Sequence, residues 1–244
     1  MIKKIMALAK GSMTKNGYKN NMTEKGYQIL DEILADVPPI WDKPASSSGR
    51  FHHGESVGEH TYAMLDAGLK IMSMYGYAKD TTGADVICMA VVLHDCRKYG
   101  EHGTSKHTVS HHDYLAGELV RVYFGELSEH LGVKMALELF HALTFHSGRW
   151  SYELEGDKDT SVLDHRLTHL LHTVDMLESR GCLKNECLDN GGGLRKVAYY
   201  LLAEMKEVDE DVREEVNEVC PNLTCCPSCG VDDFVHSEDC DFYI

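Results

Sequence analysis

The sequence predicts an all-α protein, a bundle of sequential helices with a small cysteine-rich appendage. Apolar residues recur at helical spacing in one segment after another, short polar or glycine-bearing links separate those segments, and no convincing strand alternation interrupts them. Helices joined in that way bury their apolar faces against each other rather than against a sheet.

The elements can be justified in order. After an exposed basic start, Thr23 is placed to cap a helix running to about Val37, with Glu24 in its first turn and Pro38-Pro39 as its stop. Residues 40–54, rich in Pro, Ser and Gly, read as a loop. Ser56 can cap a long helix ending near Gly76, in which Val57, His60, Met64, Leu65, Leu69 and Met72 share a core-facing stripe. The run from Ala84 to Cys96 is too apolar for a surface helix and should be the buried centre of the fold. A polar loop from Lys98 to His107 precedes a helix to about Phe124. Further helices are expected over Val133 to His146, Leu163 to Arg180 and Leu194 to Val208, with Gly156 to Thr160 as a polar connection. The expected domain layout is a helical extension over 1–39, the main domain over 40–206, an acidic linker over 207–219 and a Cys/His tail over 220–244.

Composition narrows the class. With 43% apolar and 26% charged residues in 244, the chain has enough material for one sizeable core. No stretch approaches the roughly 20 apolar residues of a membrane span, and residues 1–8 lack the apolar core of a secretion signal, so the expected location is cytoplasmic. A formal charge of -15, from 39 acidic against 24 basic residues, disfavours electrostatic capture of duplex nucleic acid.

Six metal-binding side chains stand out: His60, His94, Asp95, His112, His146 and Asp175, in the order H, HD, H, H, D. Their mixed nitrogen and oxygen donors suit the Mn, Fe, Zn or Mg ions of hydrolytic sites. Adjacent residues diverge by about 100° on a regular helix, so His94 and Asp95 can face one ion only near a helix end, where Lys98 and Gly100 place them. His111 is an alternative to His112. His141 and His146, five residues apart, point in different directions on one helix, so only one of them should ligate, and His146 is preferred. His165, His169 and His172 read as supporting or core histidines, and His102, His107 and His130 as loop or surface residues.

The pattern resembles the HD-domain metal-dependent phosphohydrolases over roughly residues 40–180. The similar segments are Pro44-Ala45-Ser46, Arg50-Phe51-His52-His53, Ser56-Val57-Gly58-Glu59-His60-Thr61, and Val92-Leu93-His94-Asp95-Cys96-Arg97-Lys98. His112 ahead of Ala116-Gly117-Glu118-Leu119, His146-Ser147-Gly148-Arg149-Trp150, and Val174-Asp175-Met176-Leu177-Glu178-Ser179-Arg180 follow in the same order. The resemblance implies one or two divalent ions, the first held by His60, His94, Asp95 and Asp175, the second by His112 and His146 with Asp95 bridging. It implies catalytic roles for Asp95, Lys98 and Arg50, with Arg50, His53 and Lys98 meeting substrate phosphate. The implied substrate is a nucleotide, a cyclic nucleotide or a short single-stranded oligonucleotide. Alternative readings are an HD-type di-iron oxygenase and a non-catalytic nucleotide-binding interaction protein.

Nine cysteines are present, five of them between Cys220 and Cys240. Cys226, Cys229, His236 and Cys240 have the spacing of a tetrahedral structural zinc site, with Cys220 and Cys225 as spare ligands. Such a tail would be a partner-facing module.

Overall fold

The computed structural model describes residues 1–14, 17–46, 54–79, 81–148, 151 and 165–179. It is mostly helical, as expected. Eight α-helices are described: α1 (Ile2–Lys10), α2 (Glu24–Ala35), α3 (Val57–Ile71), α4 (Thr82–Leu93), α5 (His112–Val122), α6 (Phe124–Leu131), α7 (Val133–Phe145) and α8 (Arg166–Ser179).

α4 is the axis of the bundle. Every residue from Gly83 to Leu93 is buried, and α2, α3, α6, α7 and α8 all pack on this helix. Its near-uniform apolarity is therefore the signature of a helix covered on all sides. α3 lies beside it with its predicted stripe inward: Val57, His60, Met64, Leu65, Leu69 and Met72 are all buried. The start of α3 is fixed by a reciprocal capping box, in which the Ser56 hydroxyl accepts from the Glu59 N–H and the Glu59 carboxylate accepts from the Ser56 N–H. Thr23 caps α2 in the same spirit, accepting from the Gly26 N–H at 3.0 Å. A short 3₁₀ turn over Met72–Tyr75 ends α3 at Gly76, which supplies the left-handed φ of 76°.

Three expectations need correction. The start of the chain is not simply exposed and basic: residues 2–10 form α1, whose Ile5, Met6 and Ala9 are buried at helical spacing against α3 while Lys3 and Lys4 face outward. A strand pair exists as well, a small antiparallel hairpin of β1 (Gly11–Thr14) and β2 (Gly17–Asn20), with Gly11 opposite Asn20. Four residues are too few for alternation to register. Finally, an additional helix, α6, lies between the expected α5 and α7, and Gly132, at φ 82°, separates α6 from α7.

The segment between α2 and α3 is pinned at both ends. Ala45 N–H donates to the Glu55 carbonyl at 2.7 Å and Val57 N–H to the Lys43 carbonyl at 2.8 Å, while the Tyr99 hydroxyl holds the Pro44 carbonyl at 2.6 Å. Arg50, His52 and His53, within this segment, lie outside the described residues. So do Arg149 and Trp150, the expected connection over 156–160 and helix over 194–208, and the tail with Cys226, Cys229, His236 and Cys240. Among the described residues, no helix is long and apolar enough to cross a membrane.

Candidate metal centre

Five helices supply the six side chains. α3 contributes His60 from its first turns, α8 contributes Asp175, and His112 opens α5. His94 and His146 occupy equivalent positions, each the residue just beyond the last turn of its helix, α4 and α7 respectively. After His94 the chain tightens into three-residue turns, with Cys96 N–H donating to Leu93 O, Lys98 N–H to Asp95 O and Gly100 N–H to Arg97 O. That change of pitch at the helix end lets consecutive residues converge, and His94 Nε2 lies 3.4 Å from Asp95 Oδ2.

The distances are compatible with a metal-binding group. His60 Nε2 is 3.2 Å from His94 Nε2, 3.2 Å from Asp175 Oδ1 and 3.8 Å from Asp95 Oδ2. On the other side, His112 Nε2 is 3.3 Å from Asp95 Oδ1. Two donors each about 2.1 Å from one cation sit roughly 3.0 to 3.4 Å apart in octahedral or tetrahedral coordination, which matches most of these separations. Two groups emerge, His60 with His94 and Asp95, and Asp95 with His112 and His146, the donor atoms of each lying within 4.8 Å of one another. Asp95 belongs to both and turns a different oxygen toward each.

Tautomers follow from the partners. His94 Nδ1 faces the Val91 carbonyl at 2.7 Å, His112 Nδ1 the Val109 carbonyl at 3.0 Å and His146 Nδ1 the Leu143 carbonyl at 2.9 Å, three residues back in each case. A carbonyl oxygen can only accept, so Nδ1 carries the proton and the Nε2 lone pair of the neutral ring points inward. For His94 and His146 the same bond also occupies a carbonyl in the last turn of a helix, where intrahelical donors run out. His60 differs: its Nδ1 bonds the carboxylate of Glu178, a residue 1% exposed. His172 Nδ1–H donates to the His146 carbonyl at 2.6 Å, holding that backbone from α8.

Electrostatics agree with a site for positive charge. Burial alone would raise Asp95, but Lys98 and His94 outweigh it and hold the carboxyl far below its usual range. Asp175 is likewise pulled down, its burial outweighed by His60. Burial, with His94 and His112 adding to it, depresses His146 to about 4, so its lone pair is free at neutral pH. Burial works against protonation of His60 too, yet its bonds to Asp175 and Glu178 prevail and raise it to about 9. The cluster thus favours positive charge, supplied here by Lys98 beside Asp95 and by a proton on His60. Imidazoles with inward lone pairs and two ionised carboxylates make a donor set that fits a divalent metal ion.

The placement of each sequence-derived candidate is plain. His60, His94, Asp95, His112 and His146 come together in the two groups, and Asp175 meets them through His60 Nε2 at 3.2 Å. Lys98 is buried with its Nζ 2.5 Å from Asp95 Oδ2, so its charge is directed at the carboxylate shared by the two groups. His111 precedes α5, and His141 turns to Thr168 Oγ1 at 2.9 Å, neither joining the two groups. His169 takes the Tyr75 hydroxyl at 2.9 Å, and His165 is exposed beside the His141 ring. His130 corrects its surface reading, because its Nε2 reaches the buried Asp85 at 2.7 Å. Glu178 was missed, although its position three residues after Asp175 puts both on one face of α8. No protein-family model, curated protein or solved structure matches the chain.

Proposed function

We propose that the chain is an HD-type phosphohydrolase that cleaves a phosphorus ester of a nucleotide, a cyclic nucleotide or a short single-stranded oligonucleotide. The observation that carries the reading is the divided carboxylate of Asp95, one oxygen toward His60 and His94 and the other toward His112. A carboxylate so placed can serve two ions at once, the arrangement used for in-line displacement at phosphorus. His60, His94, Asp95 and Asp175 would hold one ion, and Asp95, His112 and His146 a second. When bound, such ions supply Lewis acidity and a water nucleophile that is deprotonated near neutral pH.

The chain's own residues then have separate tasks. The backbone carbonyls of Val91, Val109 and Leu143 keep three imidazoles aimed before any ion arrives, so little reorganisation is needed. Lys98 offsets charge on Asp95 and presents its other ammonium hydrogens to a phosphate oxygen. Arg50 and His53 are proposed from the sequence to meet the same phosphate. The two ends of their segment are anchored between α3 and Tyr99, beside the HD turn. The acidic chain favours a small or short substrate over a long polyanion.

The test is a screen of Mn²⁺-loaded protein against nucleotides, cyclic dinucleotides and short single strands, reading released phosphate or shortened product. Wild type should turn over at least one class, and Asp95→Ala should lose that turnover by at least about 100-fold. Equal turnover by Asp95→Ala would end the proposal, and oxygen-dependent turnover by an iron-loaded sample would move the chain to the oxygenase class.

A further inference from the structure

Three of the clustered imidazoles lean on backbone carbonyls; His60 alone leans on a charged side chain. α8 grips both nitrogens of that ring, Asp175 Oδ1 lying 3.2 Å from Nε2 while Glu178 accepts from Nδ1. Asp175 and Glu178 are three residues apart, so one face of one helix supplies both carboxylates. Glu178 is 1% exposed and His60 is fully buried. A carboxylate in that setting is costly to bury unless it is answered by a donor, and the His60 N–H is one such donor.

We propose that Glu178 is a positioning residue of the metal centre, holding His60 as the Nδ1–H tautomer so that its Nε2 is directed at an ion. A side-chain acceptor behind a ligating imidazole fixes the ring's orientation and tautomer. Capture of an ion beside His60 therefore depends on Glu178. This inference rests on the metal-centre reading above.

The experiment is titration of metal-stripped, full-length protein with Mn²⁺, followed by the electron paramagnetic resonance of the free ion. Mn²⁺ is chosen because thiolates of the tail are poor ligands for it. Glu178→Ala should weaken Mn²⁺ binding about 10- to 100-fold. Glu178→Gln keeps an acceptor oxygen at the same reach and should return affinity to within a few-fold of wild type. An alanine variant that binds Mn²⁺ like wild type overturns the proposal, and so does a glutamine variant as weak as alanine. If the alanine variant fails to fold, Glu178→Asp decides, since it keeps the charge but withdraws the carboxylate by one methylene. Weaker binding at an unchanged unfolding temperature supports positioning, and wild-type affinity in that variant refutes it. Wild-type protein that takes up no Mn²⁺ brings down the metal reading itself, a result distinct from the failure of the Glu178 variants alone.

Discussion

Asp85 and Asp95 stand at opposite ends of one buried helix, both almost inaccessible, yet they have opposite surroundings. Asp85, in the first turn of α4, is met only by donors in its described bonds: Thr23 N–H at 2.8 Å, the Thr23 hydroxyl at 2.6 Å and His130 Nε2 at 2.7 Å. The helix N-terminus adds a favourable dipole. Gly26 closes the pocket, since a Cβ there would lie 2.2 Å from the Asp85 carboxyl carbon. Asp95, just past the C-terminus, has Lys98 as a donor and is otherwise ringed by the Nε2 atoms of His60, His94 and His112. One carboxylate is answered by protein and locks α2, α4 and α6 together. The other has one ammonium donor, Lys98, and otherwise faces imidazole nitrogens, a set that a cation can complete. Burial and charge alone do not separate these roles; the direction of each neighbour's hydrogen does.

Substituting each aspartate in turn puts that contrast under the most strain. Asp95→Ala should eliminate Mn²⁺ uptake in both halves of the centre, whereas Asp85→Ala should bind with wild-type stoichiometry while losing roughly 2 to 4 kcal/mol of stability as its donors are left unanswered. Metal titration and urea unfolding of the same two samples check this, and loss of metal binding in Asp85→Ala would erase the distinction. Gly26→Ala sharpens it further. Overpacking against the Asp85 carboxylate should cost about 1 to 3 kcal/mol in a thermal or urea melt, with Mn²⁺ affinity unchanged.

A further effect is on the pH dependence. His60 has a folded pKa raised from 6.5 to about 9, so in metal-free protein its proton stabilises the fold fully below about 6.5 and that contribution fades as pH rises through about 9. An ion must displace that proton, so between these limits apparent Mn²⁺ affinity should climb up to about tenfold per pH unit and level off above about 9. Affinity that is flat from pH 7 to 9 would show that His60 does not ligate.

Much of this was legible in the chain. The Thr23 and Ser56 caps, the His60 stripe, the buried run of α4 and the placement of His94-Asp95 at a helix end follow from spacing and from local rules that act within a few residues. What escaped depends on contacts across the fold. His130 reads as a surface residue until α6 carries it to Asp85, 45 positions away, and Glu178 reads as one more acid until α8 sets it behind His60, 118 positions away. The hairpin after α1 was too short to show a period, and α1 too short to outweigh its lysines.

The carbonyl tethers on His94 and His146 have one more consequence. Because each ring is fastened to the terminal turn of its own helix, those turns cannot unwind without swinging its Nε2 away from the cluster. Cation capture would then protect the amides at the ends of α4 and α7 from hydrogen exchange with solvent, well beyond the atoms that touch the ion.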